Sequence, residues 1–136
     1  MGRKVKVLLD TNILISALGF GGKPREIFKL VLDKKIKAIS SSILLAEFDD
    51  VISKKFPKLA IHLSRIQKLF RKNMKIIKPG HSVHVLQDDS DNRVLEAALE
   101  GNCDYIVTGD KDLLDLKIYK KIIILKPNDF LSSIQD

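Results

Sequence analysis

Four acidic residues lie where a carboxylate is costly unless something neutralises it. Asp10 and Asp110 each follow an apolar run that predicts a buried strand, and Glu47 and Asp91 lie on the apolar sides of predicted helices. Burying an unpaired charge is expensive, and a shared divalent cation is one way to hold several carboxylates together. Oxygen ligands favour Mg²⁺ or Mn²⁺ over Zn²⁺. The four acids therefore predict a metal site suited to phosphodiester hydrolysis, in which the metal lowers the pKa of a bound water.

Each acid also has a simpler interpretation. Asp10 and Asp91 can cap the helices that follow them, Asp110 can be a turn residue, and Glu47 can pair with a buried lysine. Each alternative is reasonable alone, but four acids that converge on one place favour the metal site. Asp112 follows Asp110 by two residues, and it either joins the site or serves only in the turn.

Neutral hydrogen-bonding side chains stand beside these acids. Thr11, Asn12 and Asn92 are expected to orient waters, ligands or a scissile phosphate. The three histidines do not offer a better metal site, and the chain has no Walker A loop and no Gly-x-Gly-x-x-Gly motif. The acids are therefore the strongest candidates for chemistry.

Predicted strands alternate with predicted helices along the chain, which favours an α/β fold with a parallel sheet and helices on both faces. The strands are predicted at residues 5–9, 37–40, 74–77, 105–108 and 122–125. At 136 residues the chain is expected to form a single domain, residues 1–136, around a five-stranded sheet. Ligand sites in such sheets lie beyond the carboxyl ends of the strands, so Asp10 and Asp110 are expected to share that edge.

The net charge of +7 is unevenly distributed. Residues 51–87 contain nine Lys or Arg and no Asp or Glu, so this segment carries the whole positive excess. Arg65, Lys68 and Lys72 share one face of an amphipathic helix predicted at residues 58–72. A basic surface beside an acidic site suits a polyanionic substrate, and these three side chains are the candidate RNA contacts. A solvated lysine-rich surface is the simpler alternative.

Composition indicates the compartment in which the protein is expected to act. No apolar run approaches the ~18 residues that a membrane-spanning helix needs, so no membrane association is expected. The single cysteine, Cys103, cannot form an internal disulfide and is expected to be a small buried side chain. We therefore expect a cytoplasmic protein.

Four motifs together resemble the PIN domain family, and within it the VapC-like toxins of toxin-antitoxin systems. They are Val-Leu-Leu-Asp-Thr-Asn at residues 7–12, Ser-Ile-Leu-Leu-Ala-Glu-Phe at 42–48, Asp-Asn-Arg-Val-Leu-Glu-Ala-Ala at 91–98, and Asp-Tyr-Ile-Val-Thr-Gly-Asp-Lys-Asp-Leu-Leu at 104–114. The resemblance spans nearly the whole chain.

The resemblance implies a three-layer α/β/α fold and a Mg²⁺- or Mn²⁺-dependent ribonuclease whose acids are Asp10, Glu47, Asp91 and Asp110. It also implies a homodimer and an antitoxin that inserts into the site. Two departures are visible, and neither falls on a proposed ligand. Residues 88–90 read Asp-Asp-Ser where a proline is common in the family, and Cys103 replaces a usual alanine.

Three other functions are compatible with parts of the sequence. A signalling receiver domain shares the predicted sheet and a Lys-Pro step at residues 126–127, but the predicted strands at residues 37–40 and 74–77 end without an acid. A nucleic-acid-binding module without catalysis fits the charge but not the intact set of acids. A PIN nuclease that processes RNA, rather than a toxin, fits the same motifs.

Overall fold

The strands form from the short, β-branched-rich runs that predict them, because such residues pack well when buried on both faces of a sheet. A computed structural model of the chain describes residues 3–135. Its strands are β1 (Lys6–Leu9), β2 (Lys37–Ser41), β3 (Met74–Ile77), β4 (Tyr105–Val107), β5 (Ile118–Tyr119) and β6 (Ile122–Leu125).

Helices occupy most of the chain between these strands. They are α1 (Thr11–Gly19), α2 (Gly22–Leu32), α3 (Ser42–Lys55), α4 (Pro57–Ala60), α5 (Leu63–Asn73), α6 (Asp89–Glu100), α7 (Lys111–Leu116) and α8 (Pro127–Ile134). No helix within residues 3–135 is long and apolar enough to cross a membrane.

The sheet has the order β3-β2-β1-β4-β6-β5, and every pairing is parallel except that of β5 with β6. β1 lies at the centre, where Leu8 is aligned with Ile39 of β2 and Ile106 of β4. The carboxyl ends of β1 and β4 are therefore neighbours. The prediction of an α/β fold with a mostly parallel sheet is confirmed.

Within residues 3–135 the sheet has six strands rather than the predicted five. The additional strand, β5, is antiparallel to β6 and contains only two residues. Its connection to β6 passes through Lys120 and Lys121, both with positive φ (46° and 76°), which is the backbone conformation of a tight hairpin turn. A two-residue strand is too short to produce an alternating pattern, so the sequence carries no signal for it.

Two apolar clusters cover the two faces of the sheet. Val7 and Leu9 point into one cluster, with α1, α2, α3 and α5, whereas Leu8 points into the other with Leu95 of α6 and Leu113 of α7. Because successive side chains of a strand point to opposite faces, β1 is buried on both sides. This burial fixes the carboxyl end of β1 firmly within the fold.

The helix predicted over residues 58–72 is divided in two. α4 ends at Ala60 and α5 begins at Leu63, and the intervening Ile61 and His62 are both exposed. Packing supplies most of the stability of a protein helix, and these two side chains contribute none. α5 still presents an apolar face, with Ile66 and Phe70 buried.

Candidate metal centre

Asp10 is held by two hydrogen bonds at the carboxyl end of β1. Its Oδ1 accepts from the backbone N–H of Asn12 at 2.9 Å, which caps α1. Its Oδ2 accepts from the hydroxyl of Thr108 at the end of β4. The residue is only 8% exposed. Asp10 therefore caps a helix, as the simpler interpretation held, and also presents a buried carboxylate to the sheet edge.

Asp110 has the same dual position after β4. Its Oδ1 accepts from the backbone N–H groups of Asp112 at 2.9 Å and Leu113 at 3.2 Å, which caps α7. No donor within residues 3–135 reaches its Oδ2. One oxygen thus fixes the carboxylate, and the other is available at the edge.

Thr108 joins the two acids, and the sequence analysis did not identify it. Its hydroxyl donates to Asp10 Oδ2 and accepts from the backbone N–H of Asp110 at 3.0 Å. The side chain is fully buried. The only signal in the sequence is a hydroxyl residue directly between the apolar run of β4 and Gly109-Asp110.

Asp91 lies in the first turn of α6, on the face that packs against the sheet. Asp88 caps this helix by accepting from the N–H of Ser90 at 2.8 Å, so capping does not account for Asp91. Asp91 is 7% exposed, and its Oδ2 is buried without a hydrogen-bond partner among residues 3–135. A buried, unpartnered carboxylate oxygen needs an explanation.

Glu47 projects from the second turn of α3. This helix begins directly after β2, because Ser41 accepts from the N–H of Leu44 at 3.2 Å and caps it. Glu47 is half-buried, and no Lys or Arg in the described part of the chain forms an ion pair with it. The alternative of a buried lysine partner thus finds no support there.

The acids converge at one place. Carboxylate oxygens of Asp91, Asp110 and Asp112 lie within 4.8 Å of one another. The charges of Glu47 and Asp110 act on Asp10, and the charge of Asp10 acts on Asp91. All five candidate ligands therefore belong to one electrostatic cluster.

This cluster shifts the ionisation of its most buried members. Burial raises the pKa of Asp91 to about 7, and the charges of Asp110, Asp88, Asp10 and Asp112 add to the rise. Burial also raises the pKa of Asp10 above its usual range, although the hydrogen bonds from Thr108 and Asn12 oppose the shift. Without a cation, neighbouring acids therefore disfavour the charged forms of Asp10 and Asp91.

The three neutral residues expected to support the acids have different surroundings. Thr11 is buried, and its hydroxyl has no hydrogen-bond partner within residues 3–135. The side chain of Asn12 is exposed. Asn92 is buried and fastens the loop before α6: its Oδ1 accepts from Leu86 N–H at 2.8 Å and Val85 N–H at 3.2 Å, and its amide donates to Leu86 O at 2.7 Å. The side-chain hydrogen bonds of Asn92 are thus all made to backbone groups of this loop.

The basic stripe, consisting of Arg65, Lys68 and Lys72, does not lie among the acids. All three side chains are exposed on α5, and α5 leads directly into β3, two strands from β1. The structure thus brings three of the five acids, Asp91, Asp110 and Asp112, within 4.8 Å of one another, and it places the stripe on a separate helix.

The donor set fits a hard divalent cation. Every candidate ligand is a carboxylate, which is the oxygen chemistry that Mg²⁺ and Mn²⁺ prefer. No Lys, Arg or His within residues 3–135 forms an ion pair with any of the five, and Lys111, the nearest in sequence, pairs with Asp115 instead. Asp91 Oδ2 is an acceptor without a donor. A cation at this edge would satisfy that oxygen and neutralise the cluster.

The structure is that of a three-layer α/β protein with an acidic centre at the carboxyl edge of a mostly parallel sheet. A family model described as "PIN domain" matches residues 6–112. The chain belongs to the PIN domain family, whose members are nucleases that use divalent metal ions. A relative from Methanocaldococcus jannaschii, the uncharacterized protein MJ1680, is 35% identical over 125 residues, which is 88% of this chain and 80% of the relative.

Solved structures show the same fold at low sequence identity. VapBC2 from Rickettsia felis, bound to a DNA fragment from its promoter, superposes with a TM-score of 0.62 at 20% identity, over 88% of this chain and 97% of that one. FitAcB from Neisseria gonorrhoeae gives 0.60 at 15% identity, over 89% and 97%. A FitAB complex with a DNA fragment gives 0.60 at 15%, over 89% and 94%.

Proposed function

We propose that this protein is a metal-dependent endoribonuclease that hydrolyses RNA phosphodiesters. One observation carries the proposal: carboxylate oxygens of Asp91, Asp110 and Asp112 lie within 4.8 Å of one another, and no Lys, Arg or His within residues 3–135 forms an ion pair with them. One of these oxygens, Asp91 Oδ2, is buried and unpartnered. Structural carboxylates are normally paired or hydrogen-bonded when buried. A site that keeps several of them unneutralised is suited to a divalent ion.

Asp10, Glu47, Asp91 and Asp110, with Asp112 beside them, would hold Mg²⁺ or Mn²⁺. A bound ion would supply a lowered pKa for a water and stabilisation of the negative charge that develops on the phosphate. The residues of the chain supply the geometry. Thr108 fixes Asp10 relative to Asp110, and the two helix caps fix one oxygen of each of these acids.

RNA is proposed as the substrate because of the charge layout. The chain carries a net charge of +7 although five of its 17 Asp and Glu residues are the candidate ligands, so basic side chains outnumber acidic ones in the rest of the chain. Arg65, Lys68 and Lys72 form an exposed stripe on α5, which is suited to phosphates flanking the scissile one.

A role as the toxin of a toxin-antitoxin pair is proposed for this ribonuclease, in the cytoplasm and as a homodimer. The fold shared with VapBC2 and FitAcB supports it. The surface also offers apolar side chains for a protein partner, because Phe20 is 71% exposed and Ile61 is 80% exposed. A PIN nuclease that processes RNA without an antitoxin would use the same site.

The test is cleavage of a panel of single-stranded and structured RNAs with Mn²⁺, repeated with EDTA and with Asp110→Asn. We expect cleavage with the ion and its loss in both controls. Asp115→Asn, which removes one carboxylate from α7 outside the cluster, is the matched variant and should cleave normally. Calorimetric titration of Mn²⁺ provides a separate readout, and the absence of both cleavage and ion binding would leave a non-catalytic RNA-binding module.

A further inference from the structure

A concave lysine cluster lies at the opposite edge of the sheet from the acids. A cavity of about 450 Å³ opens at the amino ends of β1, β2 and β3. Five lysines line it: Lys4, Lys34, Lys37, Lys72 and Lys75. The other lining residues are apolar or carry a side-chain amide, and none is acidic. The cavity therefore concentrates positive charge with nothing in its walls to offset it.

The ammonium groups of this cluster are not committed to other acids. Ion pairs in the described part of the chain involve Lys23, Lys54 and Lys111 among the lysines, but none of the five in the cavity. The five side chains are exposed, and a concave surface lined by charges of one sign raises the local concentration of ions of the opposite sign. The cluster is thus the counterpart of the acidic centre, with the opposite sign.

Lys34 occupies a backbone conformation that favours glycine. Its φ is 60°, at the turn that joins α2 to β2. A side chain with a Cβ is mildly strained in this region, as it also is at Lys117, Lys120 and Lys121 outside the cavity. A lysine in this turn places a charge at the mouth of the cavity.

The basic stripe of α5 leads to this cavity. β2 and β3 are parallel, so the chain must return from the carboxyl edge to the amino edge between them, and α5 is the last helix of that return. Lys72 lies at the carboxyl end of α5 and belongs to both the stripe and the cavity. Arg65 lies about 10 Å further back along the helix axis, at 1.5 Å per residue.

We propose that the lysine cavity binds the phosphate backbone of the RNA strand outside the acidic centre, and that the stripe connects the two. This inference rests on the proposed ribonuclease function, because it assigns the path of that enzyme's substrate. The backbone is bound through its phosphates and without base recognition, since lysines act as point charges. Long RNAs therefore gain affinity that short ones do not.

The experiment measures RNA binding in EDTA, so that cleavage does not intervene. Anisotropy titrations compare single-stranded RNAs of about 4 and about 16 nucleotides over a range of salt concentrations. The test variant is Lys34→Gln/Lys37→Gln/Lys75→Gln, and the matched control is Lys23→Gln/Lys29→Gln/Lys117→Gln, which removes the same charge from exposed lysines elsewhere. Lys34→Gly is a second test variant, because it removes a cavity charge while relieving the strained φ, so its melting temperature should not fall.

We expect the affinity ratio of the long to the short RNA to fall about tenfold in the cavity triple, and its salt slope to decrease by about 2. Lys34→Gly should lower the ratio to a smaller extent. Equal ratios in the cavity and control triples would overturn the proposal. Cleavage in Mn²⁺ is measured separately. If the RNA panel is left intact, the ribonuclease function is wrong. If the cavity triple still binds the long RNA more tightly than the short one by the original ratio, only the proposed role of the cavity is wrong.

Discussion

The two edges of one sheet carry opposite chemistry, and they are built differently. At the carboxyl edge, the acids are held by hydrogen bonds and burial: Asp10 is 8% exposed, Asp91 is 7% exposed, and Thr108 bonds across two strands. At the amino edge, lysines surround an open cavity, and no hydrogen bond within the described residues fixes the ammonium groups that line it.

The difference corresponds to two demands on a nuclease. Chemistry at phosphorus requires ligands held to within a fraction of an ångström, so rigid and buried elements supply them. Attraction of a phosphate backbone is long-ranged and tolerant of geometry, so flexible lysines suffice. A single substitution at the acidic edge should therefore cause a large loss in the rate of RNA cleavage. A single substitution at the basic edge should cause only a small loss in the affinity for RNA.

The largest effect is expected at the acidic edge. Asp10→Asn keeps the shape of the side chain: its oxygen can still accept from Asn12 N–H, and its NH2 can donate to the Thr108 hydroxyl in place of the bond that Asp10 accepts. The change removes a charge that would hold the ion. Outer-shell partners of metal ligands typically contribute 10–100-fold to activity, so we expect kcat/KM for RNA to fall by at least about 100-fold. Ion-free Asp10→Asn should melt no lower than the unmodified chain, because burial disfavours the charged carboxylate. Turnover that persists unchanged would remove Asp10 from the site.

Thr108 acts through the acids rather than on the substrate, so its loss should have a smaller effect than the loss of an acid. Thr108→Val removes the bond to Asp10 and leaves the N–H of Asp110 without its acceptor. We expect kcat/KM to fall about 10-fold, and the pH-rate profile to move to higher pH, because a hydrogen bond that favours the charged form of Asp10 is lost. Thr108→Ser retains the hydroxyl and should restore both. A uniform loss in Val and Ser variants would indicate packing alone.

The positions of the acids could be predicted because each follows directly from a local pattern. The apolar run before Asp10 and the one before Asp110 predict buried strands, and parallel strands bring their carboxyl ends to one edge. The fold class follows from the same alternation. These inferences need only the order of elements, which the sequence displays.

Features that depend on which strands are adjacent could not be predicted. The Thr108–Asp10 bond joins residues 98 positions apart, and it exists only because β1 and β4 are neighbours. The lysine cavity likewise unites Lys4, Lys34 and Lys75 from three separate segments, whereas the charge count pointed only to residues 51–87. A hairpin strand of two residues carries too little pattern to be recognised.

The basic stripe is expected to show a smaller effect than the acids. Reversing Arg65, Lys68 and Lys72 to Glu should weaken binding of a long RNA about tenfold and reduce the salt slope by about 2, because three phosphate contacts are lost. Reversal at Lys23, Lys29 and Lys117 changes the net charge equally and is the control. If both triples weaken binding to the same extent, net charge rather than the stripe attracts RNA.

The smallest effect concerns the stability of the ion-free protein. The pKa of Asp91 is raised to about 7 from an ordinary value of 3.8, so between these values the native chain binds a proton that the unfolded chain has released. Stability must then fall as pH rises through this window and level off above it. We expect the melting temperature of the unmodified chain, minus that of Asp91→Asn, to decline by several degrees from pH 4 to pH 7. Subtracting the melting temperature of the variant removes the contributions of other titrating groups.

Mg²⁺ or Mn²⁺ should reduce this decline in the melting-temperature difference, because an ion that binds only the folded state takes the place of the proton at the carboxylate. A difference that does not change with pH would mean that Asp91 ionises as an ordinary surface acid, and the acidic edge would then be no more constrained than the lysine edge.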